Sequence, residues 1–291
     1  LHAAAAIVML VGALGAFGSS GSAAAPPLWV QHTENYPGGI SNGVRARLIA
    51  AAMKPATQHK ARGPSASASS LENVQMNTDC DPPLPQNETA VAFDPTDPAN
   101  AVAASNDYCG DGDWIGFTTD GGATWNSVFK DPKTSNGERC IGGDPTVVYS
   151  VRDHAFYIGT LCFSPTSPLS EVQVWKSTDG GATWTDSSQA DIVITNLASD
   201  GTIDGTVFYD KELLAVDNDP GSPFFGRLYA TFIKFHLTPP SGRSDYCPAQ
   251  VAFTDGRPMP RHRRGLRCRS SRTPPVPRAA VPARTNGRSR W

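Results

Sequence analysis

The sequence lacks any Cys-x-x-Cys pair, although it holds six cysteines, and with that spacing absent the usual framework of a structural zinc site is missing. No metal and no cofactor are therefore expected. A membrane helix needs about 20 consecutive apolar residues, and the longest apolar stretch, Ala3 to Phe17, is shorter and rich in Ala and Gly. Basic residues are scarce over most of the chain. Of 25 Lys and Arg, 11 are arginines in the last 35 residues, which leaves 14 against all 27 Asp and Glu in residues 1–256. The net charge of −2 thus conceals an acidic body. Such a body argues against nucleic acid or anionic membrane as its partner. Long helical patterns are lacking as well, and 27 Gly with 25 Pro point to many turns.

The two ends differ from the middle. The run Ala3–Phe17, followed by the small residues Ser19–Ala25, reads as a secretory signal over residues 1–25, with the mature protein secreted or at the cell surface and without a membrane span. A membrane anchor is the rival reading. Only His2 precedes the run, with no initiator Met or basic segment, so the natural start is expected upstream. Residues 26–75 read as a loosely ordered leader, with a short helix over Val44–Met53 and linker composition over Gly63–Ser70. Arg257–Trp291 contains 11 Arg, 6 Pro and no Asp, Glu or Lys. Its abrupt onset is expected of coding sequence read out of frame; a basic disordered arm for an anionic partner is the alternative.

Between them, an eight-residue phrase occurs twice. Thr118-Thr119-Asp120-Gly121-Gly122-Ala123-Thr124-Trp125 and Ser177-Thr178-Asp179-Gly180-Gly181-Ala182-Thr183-Trp184 agree at seven positions and lie 59 residues apart. Short runs rich in Val, Ile, Tyr, Phe and Thr, bounded by Gly, Pro, Asn and Asp, read as strands. Glu88–Phe93, Asn100–Ser105 and Trp114–Thr118 lead to the first phrase. Pro145–Tyr149, Ala155–Thr160 and Glu171–Lys176 lead to the second. Leu213–Val216, Arg227–Phe235 and Gln250–Thr254 make a third set, ending in Asp255-Gly256, the start of a third phrase. A fourth strand is expected from Trp125 and from Trp184. Asp94–Pro98 and Asp217–Pro223 supply turn chemistry, since Pro fixes φ and Asp bonds its own backbone. Residues 76–256 are thus expected to be all-β, in four-stranded antiparallel units that match propeller blades. About six blades, on the order of 300 residues, close such a ring, so the three units here predict a fragment of a longer protein.

Within the phrase, Gly121-Gly122 and Gly180-Gly181 permit positive φ, Asp120 and Asp179 can accept the turn's N–H groups, and Thr118 and Ser177 can close it with a hydroxyl. Trp125 and Trp184 can bury a ring against the next sheet. The phrase resembles the Asp-box, or bacterial neuraminidase repeat, S/T-x-D-G-G-x-T-W, over roughly residues 87–256. That resemblance implies a propeller in which Thr118, Asp120, Gly122, Trp125, Ser177, Asp179, Gly181 and Trp184 are structural. Enzymes and non-enzymatic proteins both carry it. In the aligned units, Cys80 and Cys140 precede the first strand, and Cys109 and Cys162 follow the second. Antiparallel pairing then predicts the disulfides Cys80–Cys109 and Cys140–Cys162.

The first strands of a propeller line its channel. At their starts stand Glu88, Asp144 and the trio Asp210-Lys211-Glu212, with Arg139 and Arg227 as possible carboxylate partners. Converging carboxylates can act as acid and base, hold a cation or bind sugar hydroxyls; the plain alternative is that they cap strand ends. A sialidase resemblance would further imply three substrate-binding arginines, a Tyr–Glu nucleophile pair and an Asp acid/base. No Arg-Ile-Pro precedes the first unit, and Tyr149, Tyr157, Tyr209 and Tyr229 read as sheet packing, so no catalytic residue is carried over. The expected function is a sialidase-like glycoside hydrolase acting on extracellular glycans or glycoconjugates when full length. The alternative is a non-catalytic propeller that binds carbohydrate or protein.

Overall fold

The computed structural model describes residues 26–35, 44–45, 49, 73–77, 84–110, 112–130, 132–185, 192–238, 243–246 and 249–254. The expected signal, most of the Val44–Met53 helix and the arginine-rich tail lie outside them. Among the described residues the regular structure is antiparallel β, apart from the helix α1 (Leu28–Asn35) and helical positions at Val44, Arg45 and Ile49.

Three sheets follow one another along the chain. The first is β1 (Ala90–Asp94), β2 (Asp97–Asn106), β3 (Asp113–Thr118) and β4 (Asn126–Lys130), in that spatial order. The second is β5 (Ile141–Ser150), β6 (Ala155–Phe163), β7 (Ser170–Ser177) and β8 (Ile192–Thr195), again in order. The third has β10 (Leu228–Thr238) in the middle and β9 (Val207–Val216) on one side. On its other side, β11 (Arg243–Tyr246) pairs with residues 235–238 of β10, and β12 (Gln250–Thr254) with residues 228–232. These two therefore lie end to end as one interrupted strand, and among the described residues the third sheet has three strand positions where the others have four.

Most expected strands are present, with two corrections. The fourth strand of the second sheet begins at Ile192, not at Trp184. Thr185 closes the turn instead, donating its N–H to Lys176 O at 2.9 Å, while its hydroxyl accepts from Lys176 N. The first β-branched run beyond it is Ile192-Val193-Ile194-Thr195. The second correction is that β9 starts at Val207, because Val207-Phe208-Tyr209 pair with residues 234–236 of β10 on the far side of a bulge.

Both repeated phrases fold as the chemistry dictates. Thr118 Oγ1 donates to Asp120 Oδ1 (2.7 Å) and accepts from Gly122 N (3.0 Å). Asp120 also accepts from Thr124 N (2.9 Å) and Thr124 Oγ1 (2.6 Å). Ser177, Asp179, Gly181 and Thr183 repeat the pattern at 2.5–2.9 Å. Trp125 and Trp184 each donate Nε1 to the second glycine's carbonyl, at 3.2 and 3.0 Å. The hydrogen bonds from Thr124 hold the Asp120 carboxyl down at about 2, and those from Thr183 overcome partial burial to hold Asp179 below the usual range. Asp94 likewise bonds Thr96 N (2.7 Å) and Asp217 bonds Asp219 N (3.1 Å) in the two hairpins.

The sheets stack face to face. Ala90, Ala92, Val102, Ala104, Ile115 and Phe117 meet Val147, Tyr149, Phe156, Ile158 and Trp175 of the second sheet. Its other face, through Ala155, Tyr157, Val174 and Ile192, meets Leu214, Leu228, Ala230 and Ala252 of the third. The second turn is inserted into the first interface. A Cβ on Gly181 would lie 2.6 Å from Val102 Cγ2 and 2.9 Å from Phe117 Cβ, and Gly180 O accepts from Asn100 Nδ2 at 3.1 Å. Within the expected leader, α1 places Trp29 against Phe163 (5.3 Å between centroids) and Phe208 (5.2 Å), in a core shared by the second and third sheets. The disulfide Cys140–Cys162 is formed. Cys109 is also disulfide-bonded, and its expected partner Cys80 lies outside the described residues.

Two predictions follow from the packing. Gly181→Ala combines a backbone at φ 101° with overlap on Val102 and Phe117, and costs roughly 3 kcal/mol or more. Gly121→Ala, at φ 72° with nothing within 4 Å, costs about 1 kcal/mol. Urea unfolding of the two variants reads the difference; equal losses would mean that the turn does not dock on the first sheet.

Candidate functional site

The inner strands β1, β5 and β9 neighbour one another, with β5 in contact with both others. Each carries the same distortion near its start. Asn87 is bonded opposite Asn106, and Ala90 pairs with Ala104. Gly143 and Thr146 stand opposite Leu161 and Gly159; Asp210 and Leu213 stand opposite Ile233 and Thr231. In all three, one extra residue is accommodated on the inner strand, which is a β-bulge, and a bulge re-aims a side chain. The second residue of each is left-handed: Glu88 at φ 55°, Asp144 at 53° and Lys211 at 54°. For non-glycine residues this conformation costs on the order of 1–2 kcal/mol apiece. Three repetitions of such strain at one level of the stack mark it for attention.

The bulges bring the three side chains together. Lys211 Nζ is 2.5 Å from Glu88 Oε2 and 3.6 Å from Asp144 Oδ2. The lysine side chain is 48% exposed and Glu88 29%, whereas Asp144 is at 1%, so the pair nearer solvent covers a buried carboxylate. Asp144 N donates to Asn106 Oδ1 at 2.6 Å, and Asn106 Nδ2 donates to Asn87 Oδ1 at 2.9 Å, which ties the second bulge to the first. Glu212, next to Lys211, is fully buried, and neither of its carboxyl oxygens has a hydrogen-bond partner among the described residues. Its stem lies against β6, where a Cβ on Gly159 would be 3.4 Å from Glu212 Cγ.

These surroundings separate the ionisation of the groups. Burial, and then the negative charge of Glu88, push the Asp144 carboxyl up against the opposing pull of Lys211. Burial, reinforced by the charge of Asp144, pushes Glu212 well above the usual glutamate range. Partial burial pulls Lys211 down, but its hydrogen bond to Glu88 and the charge of Asp144 outweigh this and raise it. Carboxyl groups whose surroundings oppose loss of the proton are suited to general-acid chemistry.

Other expected residues sit elsewhere. Arg139 is exposed on the loop before β5, bridged to Lys133. Arg227 lies at the hairpin end of β10, its guanidinium 4.1 Å from the Phe224 ring centroid and 4.7 Å from that of Phe253. Tyr149 donates its hydroxyl to Asp94 (2.6 Å) and Tyr157 to Asp153 (3.0 Å). Tyr209 packs on Phe232 and Tyr229 on Phe253. Another buried carboxylate, Glu171, was not singled out in the sequence. It accepts from Ser135 N (3.0 Å), Gln173 Nε2 (2.7 Å) and Thr195 Oγ1 (2.9 Å), tying the loop before β5 to β7 and β8. Its only sequence signal is a charged residue on the buried face of a strand. No group of three or more His, Cys, Asp or Glu placed to hold a metal occurs among the described residues.

No family model matches the sequence, and no curated protein matches it. Similar solved structures include an exo-β-1,3-galactanase from Phanerochaete chrysosporium, 10% identical over 65% of this chain and 42% of that one, TM-score 0.35. An N-acetylgalactosamine deacetylase from F. plautii, in complex with blood group B trisaccharide, is 16% identical over 57% and 48%, TM-score 0.38. A GH62 hydrolase in complex with xylotriose is 11% identical over 65% and 55%, TM-score 0.30. The chain spans about half the length of these structures, and likeness at this level does not decide what it does.

The buried acid makes a prediction about pH. The folded protein holds the Glu212 proton more tightly than the unfolded chain does, so protonation favours folding. The stability gained is present below the unfolded value of about 4.5 and is lost as pH rises through the higher folded value. Asp144 has the same sign. Glu212→Gln, which keeps the shape and cannot ionise, flattens this decline above the ordinary glutamate range. Parallel stability–pH curves for the two proteins would show that Glu212 is not a buried acid.

Proposed function

We propose that the three sheets are blades of an exported, sialidase-like Asp-box propeller that acts on extracellular glycans as a glycoside hydrolase once its ring is closed. The blade reading is supported by the two turns, whose hydroxyl–carboxylate–glycine bonding follows the S/T-x-D-G-G-x-T-W phrase at every polar position. The observation that carries the enzymatic part is the convergence of Glu88, Asp144, Lys211 and Glu212 from three successive inner strands. Lys211 bridges Glu88 and Asp144, so their facing oxygens lie within about 6 Å, a separation at which two carboxyl groups can work on one glycosidic bond. Asp144, pushed up by burial, is the group suited to deliver a proton to a leaving oxygen. Glu88, held by Lys211 and nearer solvent, is placed to be base or nucleophile. Glu212, fully buried next to Lys211 in the bulge, is a positioning residue.

The second reading, a non-catalytic carbohydrate- or protein-binding propeller, also has an observation behind it. Lys211 occupies the space between the two carboxylates, as it would in an ion-pair network that only ties the strands. A panel of fluorogenic glycosides, a sialoside among them, separates the readings. Turnover that falls by about 100-fold or more in Asp144→Asn is expected of the enzyme. Glycan binding without turnover selects the second reading, and neither activity removes both.

A further inference from the structure

The outer faces of the first and third sheets are complementary in strand count, in surface and in turn seating. The third sheet has three strand positions, and β12 pairs with no second strand among the described residues. The face it turns away from the second sheet shows Leu213 (56% exposed), Val251 (58%) and Phe253 (39%). On the first sheet, the face turned away from the second shows Val91 (67%) and Phe93 (57%) on the inner strand. On its outer strands the same face is covered: Val74 and Met76 pack over Trp114, Trp125 and Phe129. Residues 73–77 belong to none of the three sheets, yet Val74 and Met76 are two apart, as in a strand with one apolar face. They lie where the outermost strand of a preceding sheet would lie. The inner strands of that sheet would cover Val91 and Phe93.

The turns agree. The second turn is seated on Val102 and Phe117, a cross-strand pair of the first sheet. By register with Thr118 and Thr254, the corresponding pair of the third sheet is Tyr229 and Phe253. The first turn has no such seat: nothing approaches a Cβ on Gly121, and only its own Trp125 approaches one on Gly122.

We propose that a second copy of this chain completes the structure. The third sheet of each copy stacks on the first sheet of the other, and residues 73–77 of one copy add as the fourth strand beside β12 of its partner. Two such contacts, related by a two-fold axis, close a ring of six sheets, within the range of about four to eight found in propellers. The central cluster would then be lined by six inner strands, with Glu88, Asp144 and Lys211 contributed twice. Strand addition to a sheet edge supplies main-chain hydrogen bonds, and the exposed apolar faces supply the burial. The arginine-rich residues 257–291 are poor candidates for the fourth strand, since they carry 6 Pro and no run of strand-forming residues. The proposal rests on the propeller reading but not on catalysis.

Sedimentation equilibrium of the full chain is the test, with circular dichroism to confirm folding. The expected mass is twice that of the chain. Because the ring uses two different faces, Val251→Lys with Phe253→Lys on the third sheet, and Val91→Lys with Phe93→Lys on the first, must each halve the mass while leaving the spectrum unchanged. Amides of Val74 and Met76 should exchange more slowly in the dimer than in either variant. A monomer at all concentrations, its third sheet capped by its own residues 255–291, overturns the proposal. So does a dimer sensitive to only one of the two faces. A dimer without glycoside turnover supports the ring and counts against the enzyme alone.

Discussion

Gly181 lies so close to Val102 and Phe117 that no side chain fits between them, and the stacking of the first sheet on the second depends on that approach. A four-stranded sheet of this size cannot bury enough apolar surface alone and must lay one face on a neighbour. The turn sets how closely the faces meet at their outer end. Asn100 fixes it through Gly180 O, and Lys130 holds the end of the turn by donating to Trp184 O at 3.1 Å, with its charge over Trp175. The aspartates of the phrase are consumed in holding this geometry, which is why they offer nothing to a ligand.

At the inner end the constraint is different. Three inner strands meet around one lysine, and each must turn a side chain out of the ordinary pleat to reach it. The bulges do this at the cost of three left-handed residues. The reward is an ionic contact between strands that share no hydrogen-bonded ladder. Replacing Gly at position 159 by anything larger would press on Thr146, Leu214 and Glu212 together, so the buried acid is built into the interface between the second and third sheets. Packing and ionisation are therefore coupled here: the interface that buries Glu212 also opposes its ionisation.

Much of this was legible in the sequence. The repeated phrase gave the period, its chemistry predicted the aspartate and hydroxyl bonds that close the turn but not those donated by the tryptophans and by the Thr124 and Thr183 hydroxyls, and the placing of Cys140 and Cys162 predicted their disulfide. The alignment also put Glu88, Asp144 and Asp210–Glu212 at comparable places. What it could not resolve was which member of the last trio is equivalent to Glu88 and Asp144, because a bulge shifts the pleat by one residue and leaves no compositional mark. The bulge selects the lysine, so the counter-ion of the carboxylates is Lys211 rather than Arg139 or Arg227. Trp184 misled for a similar reason: the first turn leads directly into a strand, the second does not, and the difference lies in the polar residues after Thr185. The packing of Trp29 from a stretch without strand signals, and the Glu171 network, depend on contacts distant in sequence and were not readable from local pattern.

Three bulged inner strands hold two carboxyl groups, Asp144 and Glu212, in surroundings that resist their ionisation around a single lysine. Carbon-detected NMR titration of the side-chain carboxyls measures this directly. Both groups should titrate above the ordinary range for their type, and Lys211→Met should move Asp144 higher still, since it removes the charge that opposes burial. Ordinary titration of both groups, with no response of Asp144 to loss of the lysine, would contradict the account.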